Sequence, residues 1–280
     1  QEGAPLNRIY LDNAATTALA PEVLEAMLPY LGAHYGNASS IYETGRDARQ
    51  AIDVARRQVA ELINAKPGEI FFTSGGTESD NWALKGIALA NKNKGNHIIT
   101  SAIEHHAVLE TAHWLEGQGF ELTYLPVGAD GVIDPDQVAR AITDQTILIS
   151  IMAANNEIGT LQPVSAIGEI AKAHQIPFHT DAVQAAGAVP IDVNAWQADL
   201  LSLSGHKFHG PKGMGVLYIR SGTRVDRLIH GGAQEHGRRA GTENVAGIVG
   251  LGSAASLAGE RLSAGAGRIT ALRNRLIDGI

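Results

Sequence analysis

Residues 199–220 read DLLSLSGHKFHGPKGMGVLYIR. An apolar run ends at Ser204, a glycine follows, and Lys207 then sits in a Gly-rich loop between two histidines. A second apolar run, GVLYIR, starts at Gly215. The loop between the runs is too short for a crossover helix, so the two predict antiparallel neighbours in one sheet. Lysine is normally a solvated surface residue. Here it is placed where a buried strand runs out.

Working outward, the same kind of apolar run recurs upstream. IFFTSG (70–75), HIITSA (97–102), FELTYLPV (120–127), ILISIMAA (147–154) and PFHTDA (177–182) all read as strands. Helical patterns at 77–93, 107–119, 134–142 and 163–175 separate most of them. Strand–helix alternation predicts an α/β fold, with a mainly parallel sheet sandwiched by helices. The strands lack clean polar alternation, as strands buried on both faces do. Two helical segments, at 21–31 and 44–63, precede the sheet. A long helix starting near TENVAG follows it, and RITALRNRLIDGI begins a further one.

Composition narrows the function classes. Hydrophobic residues make up 44% and charged residues 18% of 280 positions, and the net charge is −7. That balance carries no electrostatic footprint for nucleic acid. No apolar stretch approaches a membrane span, and the opening QEGAPLNR has no signal-peptide pattern. A soluble cytoplasmic protein is the expectation. There is no cysteine, hence no disulfide and no cysteine-metal site within this sequence.

Open α/β sheets bind ligands at the carboxyl ends of their strands. Five polar clusters stand there: SGGTES, EHH, NNEIG, DAVQ and SGHK. In the first, Gly76 and Thr77 open a helix whose backbone N–H groups suit a phosphate; an ordinary capped turn reads the same way. No Walker lysine is present, which argues against a nucleoside triphosphatase. Asp181 and Gln184 follow an apolar strand, where a carboxylate needs a positive partner such as a protonated pyridine nitrogen, or else caps a helix. His105 offers a flat ring for stacking or proton transfer. Asn156 supplies an amide for a carboxylate or ring oxygen. Ser204 and His206 flank the strand end, and a desolvated Lys207 amine can form a Schiff base with an aldehyde. Each signal alone is weak. Together they describe what pyridoxal phosphate requires.

The combined motifs carry a resemblance. YLDNAATT (10–17), FTSGGTESDN (72–81), EHHAVL (104–109), NNEIGTLQP (155–163), HTDAVQAAG (179–187), SGHKFHGPKGMGVLYIR (204–220) and GGAQEHGRRAGTEN (231–244) resemble the cysteine desulfurases of the NifS/IscS type. These belong to the class V aminotransferase branch of the fold-type I pyridoxal-phosphate enzymes. The resemblance implies Lys207 as the covalent and acid–base residue and Asp181 as partner of the pyridine nitrogen. It implies Gln184 on the phenolic oxygen, His105 against the ring face and in proton transfer, and Asn156 beside the substrate carboxylate and cofactor. Gly76, Thr77, Ser204 and His206 would hold the phosphate. Thr242 would reach the phosphate of a second subunit, which implies a homodimer. The implied reaction converts L-cysteine to L-alanine and passes the sulfur, as a persulfide, to an acceptor or iron–sulfur scaffold protein.

The resemblance also implies a longer protein, of which these residues are a piece. The persulfide cysteine and a carboxylate-binding arginine belong to the family's C-terminal part, and neither is expected here. Residues 15–262 are predicted to form the large cofactor-binding domain. Residues 1–14 and 263–280 are predicted to belong to a smaller one. In GNASSIYETG (36–45), Ala38 and Tyr42 stand where the family commonly has proline and histidine. Related activities on the same fold, selenocysteine lyase or cystine lyase, are the alternative, with a non-catalytic scaffold behind them.

Overall fold

The computed structural model describes residues 9–280. The QEGAPLNR segment, with most of the 1–14 part of the smaller predicted domain, therefore lies outside the described residues. Two helices come first, α1 (Pro21–Leu31) and α2 (Glu43–Leu62). Strands and helices then alternate through β1 (Ile70–Thr73), α3 (Gly76–Asn91), β2 (His97–Ser101), α4 (His106–Glu116), β3 (Glu121–Leu125), α5 (Pro135–Ala141), β4 (Thr146–Ser150), α6 (Val164–Ala173) and β5 (Phe178–Asp181). β6 (Leu200–Ser204) and β7 (Gly215–Ile219) follow, then a single turn, α7 (Gln234–Gly237), and α8 (Val245–Asp278).

All seven expected strands form one sheet in the order β1-β7-β6-β5-β4-β2-β3. β7 is antiparallel to both its neighbours, to β6 as the short 205–214 loop required. The remaining pairs are parallel. Six strands therefore end at one edge, and the functional clusters follow those ends.

The apolar strands read without polar alternation because both faces are covered. Successive residues of β7 split between two cores: Val216 and Tyr218 face one, Leu217 and Ile219 the other. On the second face, Leu84 and Ile87 of α3 and Val108 and Leu115 of α4 pack on Ile98, Leu148 and Leu217. On the first, Ile52 and Val59 of α2, Ile167 of α6 and Leu251 of α8 join Ile99, Ile149 and Leu201. Each fully buried aliphatic side chain contributes about 1.5–3 kcal/mol, so the sheet is the rigid part to which the site is attached.

One expectation is corrected. Two helices were expected after residue 242; the chain forms one 34-residue helix, α8. Gly265 and Gly267 lie in the interval read as a break. Glycine costs a helix about 1 kcal/mol but leaves every N–H available, and no proline intervenes. The helix starts where the Asn244 side chain accepts from Gly247 N at 3.0 Å, an N-cap bond. It spans roughly 51 Å at 1.5 Å per residue. Its N-terminal half is buried, whereas Ile269, Leu272, Leu276 and Ile277 are exposed.

Candidate active site

At the carboxyl edge of the sheet lies a cleft of about 610 Å³. Gly76, Thr77, His105, Asn156, Asp181, Gln184, Ser204, His206 and Lys207 all line it. Nine of the ten residues singled out in the sequence thus meet at one place. Thr242 does not. It lines a separate hollow with Ser74, Gly213, Glu235 and Arg239.

Lys207 sits on a 3-10 turn, Gly205–Lys207, directly after β6. Its Nζ donates to the carbonyls of Ala14 and Ala15, the latter at 3.1 Å. Desolvation lowers the pKa of the amine, against an opposing pull from Asp181 and Asp12. The YLDNAATT segment is therefore the clamp on the lysine turn. Thr17 Oγ1 donates to the His206 carbonyl at 2.9 Å and accepts from His209 N at 2.8 Å. His206 Nδ1 lies 3.0 Å from Thr16 Oγ1. Desolvation and the charges of Lys207 and Lys212 lower the His206 pKa.

Asp181 closes β5 and is buried. Val183 N donates to its Oδ1 at 2.9 Å. Burial raises its pKa, while the backbone bond, His105 and Lys207 pull it down. His105 caps α4, its Nδ1 accepting from Ala107 N at 3.1 Å. That bond leaves Nε2 as the free ring nitrogen. Gln184 Nε2 donates to the Ala14 carbonyl at 3.0 Å, and Asn156 Nδ2 to Glu157 Oε1 at 3.0 Å.

The Gly75–Gly76 turn forms the end of the cleft beside α3. Gly75 has φ +157°, a conformation that side chains resist. At Gly76 a Cβ would stand 2.8 Å from Val183 Cγ2, so a side chain there would have to push Val183 aside. An adjoining hollow of about 430 Å³ is lined by this turn together with Thr77, Ser204, His206 and Lys212. Backbone N–H groups at a helix start, two hydroxyls and a lysine suit a phosphate.

Three buried polar residues under the cleft were not legible in the sequence. Asp80 sits one turn into α3 and is 1% exposed. Glu104 is held by Ser101 Oγ at 2.6 Å and Met152 N at 2.9 Å, and burial pushes it up to about 8. His179 lies between Ser150 Oγ at 2.8 Å and Ser202 Oγ at 3.0 Å, and burial lowers its pKa to about 3. Only the alternation of HTD in β5 hinted at His179, because it points to the opposite face from Thr180.

Across the sheet edge, the 231–244 loop is pinned by ion pairs. Glu235 is buried and takes Arg56 at 2.8 and 2.9 Å and Phe72 N at 2.8 Å. Arg239 pairs with Glu78, in the first turn of α3, at 2.8 and 3.1 Å. In the 36–45 stretch, the buried Ala38 accepts from Arg49 through its carbonyl, and the exposed Tyr42 precedes α2.

The aminotransferase class-V family model matches residues 9–278. The chain belongs to the class-V aminotransferase family. It is 62% identical over 272 residues to "Cysteine desulfurase IscS" of Methanosarcina thermophila, covering 97% of this chain and 67% of that protein. It is 56% identical to "Cysteine desulfurase IscS" of Clostridium botulinum strain Hall, covering 98% and 69%. A solved NifS-like protein superposes with a TM-score of 0.95 at 44% identity, covering 97% of this chain and 75% of the other. A structure described as SspA in complex with cysteine gives 0.87 at 46% identity, over 89% and 72%. The close NifS-like superposition bears out the fold-type I architecture expected from the sequence.

The residues present fit pyridoxal phosphate, the cofactor of this family. A glycine turn with hydroxyls around it meets an anion. A buried carboxylate at the cleft base suits a protonated ring nitrogen, and a partly desolvated amine lines the same cleft. Asp80, His105 and Asp181 also bring ligand atoms within 4.8 Å of one another. The lysine charge acting on Asp181 works against a metal ion in that spot.

Proposed function

We propose that this chain acts as a pyridoxal-phosphate-dependent cysteine desulfurase, converting L-cysteine to L-alanine and releasing the sulfur to a thiol. The observation that carries this reading is one cleft holding a partly desolvated Lys207 beside a buried Asp181, above a glycine-lined anion cup. The names of the similar proteins supply the substrate class.

When bound, the cofactor supplies an aldehyde that captures the amino group and a ring that accepts the electron pair left by the α-proton. Asp181 would hold its ring nitrogen, and Gln184 its phenolic oxygen. Gly76, Thr77, Ser204 and His206 would hold its phosphate. Lys207 would anchor it through the amine and carry protons at Nζ. A depressed amine pKa favours that role, because a neutral Nζ accepts a proton and returns it. His105 covers the ring face, with Nε2 free to move a proton. Asn156 orients the substrate carboxylate.

In the sulfur step the substrate C–S bond breaks and a new S–S bond forms on the accepting thiol. The substrate carbon keeps the electron pair and takes a proton, giving alanine and a persulfide. The chain has no cysteine, so that thiol comes from outside these 280 residues. A sulfur-acceptor or iron–sulfur scaffold protein is the onward partner.

Further parts of the reading are a homodimer, in which Thr242 serves the phosphate site of a second copy, and a cytoplasmic location. No described helix is long and apolar enough to cross a membrane. Residues 263–280 begin the smaller domain, joined by residues 1–14.

Borohydride reduction of the cofactor-loaded protein, with peptide mapping, tests the core assignment. A pyridoxyl adduct on Lys207 that disappears in Lys207→Ala is the expected result. An adduct on Lys212, or one that survives the substitution, overturns it.

A further inference from the structure

Asp80 lines the base of the cleft, is 1% exposed, and leaves its Oδ1 without any hydrogen-bond partner among the described residues. One oxygen of this carboxyl thus stays unpaired at the cleft base, one turn into α3, while the Ser202 hydroxyl bonds the carboxyl. A ligand atom of Asp80 lies within 4.8 Å of those of Asp181 and His105. Two carboxylates this close in a buried site cannot both ionise cheaply.

The neighbours decide which one keeps the proton. From β5, His179 Nε2 stands 3.6 Å from Asp80 Oδ1. That ring is fully buried and held between two serine hydroxyls, and its desolvated state is neutral, so it brings no positive charge. From the β2–α4 connection, Glu104 adds a further buried acid, itself raised to about 8 and so no source of positive charge. From β6, Ser202 offers only a hydroxyl. His105 and Lys207 pull the Asp181 pKa down, and neither is among the groups that shift Asp80.

We infer that Asp80 and Asp181 carry one negative charge between them, with Asp80 the neutral acid, so that the whole charge sits on Asp181 where a ring nitrogen would meet it. Asp80 is then a positioning residue. It keeps the cleft base at a single charge and so matches one protonated ring nitrogen. Burial and proximity to Asp181 push its carboxyl well above the usual range. The inference rests on the pyridoxal-phosphate reading for its purpose but not for its measurement.

The test uses protein labelled with ¹³C only at aspartate carboxyls, titrated by NMR with and without pyridoxal phosphate. Aspartate-only labelling leaves Glu104 silent. One aspartate carboxyl should remain protonated at neutral pH in the cofactor-free protein, and that resonance should be lost in Asp80→Asn. Absence of any protonated aspartate in the wild type overturns the inference and needs no variant. Persistence of the resonance in Asp80→Asn protein that also carries Asp199→Asn, which removes the other aspartate raised by burial, overturns it as well, because the proton then belongs to Asp181. In the loaded protein, the visible absorbance of the cofactor should show a titration step above neutral pH that Asp80→Asn lacks. An unchanged step in the variant refutes the positioning role. Failure of the cofactor reading shows separately, as no adduct at Lys207 whatever the aspartates do.

Discussion

Glu235→Ala is the substitution that reaches farthest through this structure. Glu235 and Arg56 form an ion pair with side-chain exposures of 4% and 7%. The carboxylate also accepts from Phe72 N at 2.8 Å, at the heart of β1. Arg56 meanwhile lies over the Phe72 ring, 4.8 Å from its centre. Removing the carboxylate leaves a buried guanidinium without its counter-charge and a buried N–H without an acceptor. Breaking a buried pair from one side costs about 3–5 kcal/mol. The pair also holds Glu235 and His236 at φ 45° and 56°, a left-handed conformation costing about 1–3 kcal/mol per non-glycine residue. At about 2–4 °C per kcal/mol for a chain approaching this size, Tm should fall by roughly 6–20 °C. Thermal and urea unfolding read the loss directly. Cofactor retention should fall with it, because the same loop carries Arg239 onto Glu78 beside the phosphate cup. Replacing both partners with leucine should recover most of the stability, since no charge is then stranded. A single-variant loss below about 1 kcal/mol, or a double variant no better than the single, refutes the reasoning.

Two further outcomes follow from the site. Thr242→Val should weaken cofactor retention in the dimer, read by equilibrium dialysis at two protein concentrations; equal weakening in a monomeric variant removes the cross-subunit contact. Glu104 is raised from 4.5 to about 8 in the folded state, so the native protein holds the extra proton between those values. Its contribution to stability is complete below pH 4.5 and is lost as pH rises through 8, with a slope of at most about 1.4 kcal/mol per pH unit. His179, lowered to about 3, adds no slope above pH 6.5. Urea unfolding between pH 6.5 and 8 should therefore show falling stability in the wild type and a flatter profile in Glu104→Gln. Equal slopes would refute the raised value.

The strand ends were readable because each apolar run stops at a polar residue on the same edge of the sheet. Asp181 and Ser204 are the last residues of β5 and β6, and Lys207 follows within a turn. Chemistry and secondary structure change together there, which a linear sequence displays. Asp80 was hidden because it stands inside an amphipathic helix, where an acid reads as solvated surface. His179 was hidden inside a buried strand, where a ring set between two serine hydroxyls of neighbouring strands has no signature in the linear sequence. The clamp on Lys207 could not be seen at all, since backbone carbonyls of Ala14 and Ala15 leave no trace in side-chain identity. Thr242 marks the opposite limit: its motif was plain, but within this chain it lines a hollow apart from the cleft.

That clamp also sets an order of events during synthesis. Lys207 and Ala14 are 193 residues apart, and a ribosome adds about 5–20 residues per second. The N-terminal carbonyls therefore emerge roughly 10–40 s before the amine they will hold. For most of that interval the Ala14 carbonyl waits, because Gln184, the first of its distant partners, follows 170 residues behind it. The nascent chain carries this stretch, with its own exposed Tyr10 and Leu11, unclamped until β6 has joined the sheet.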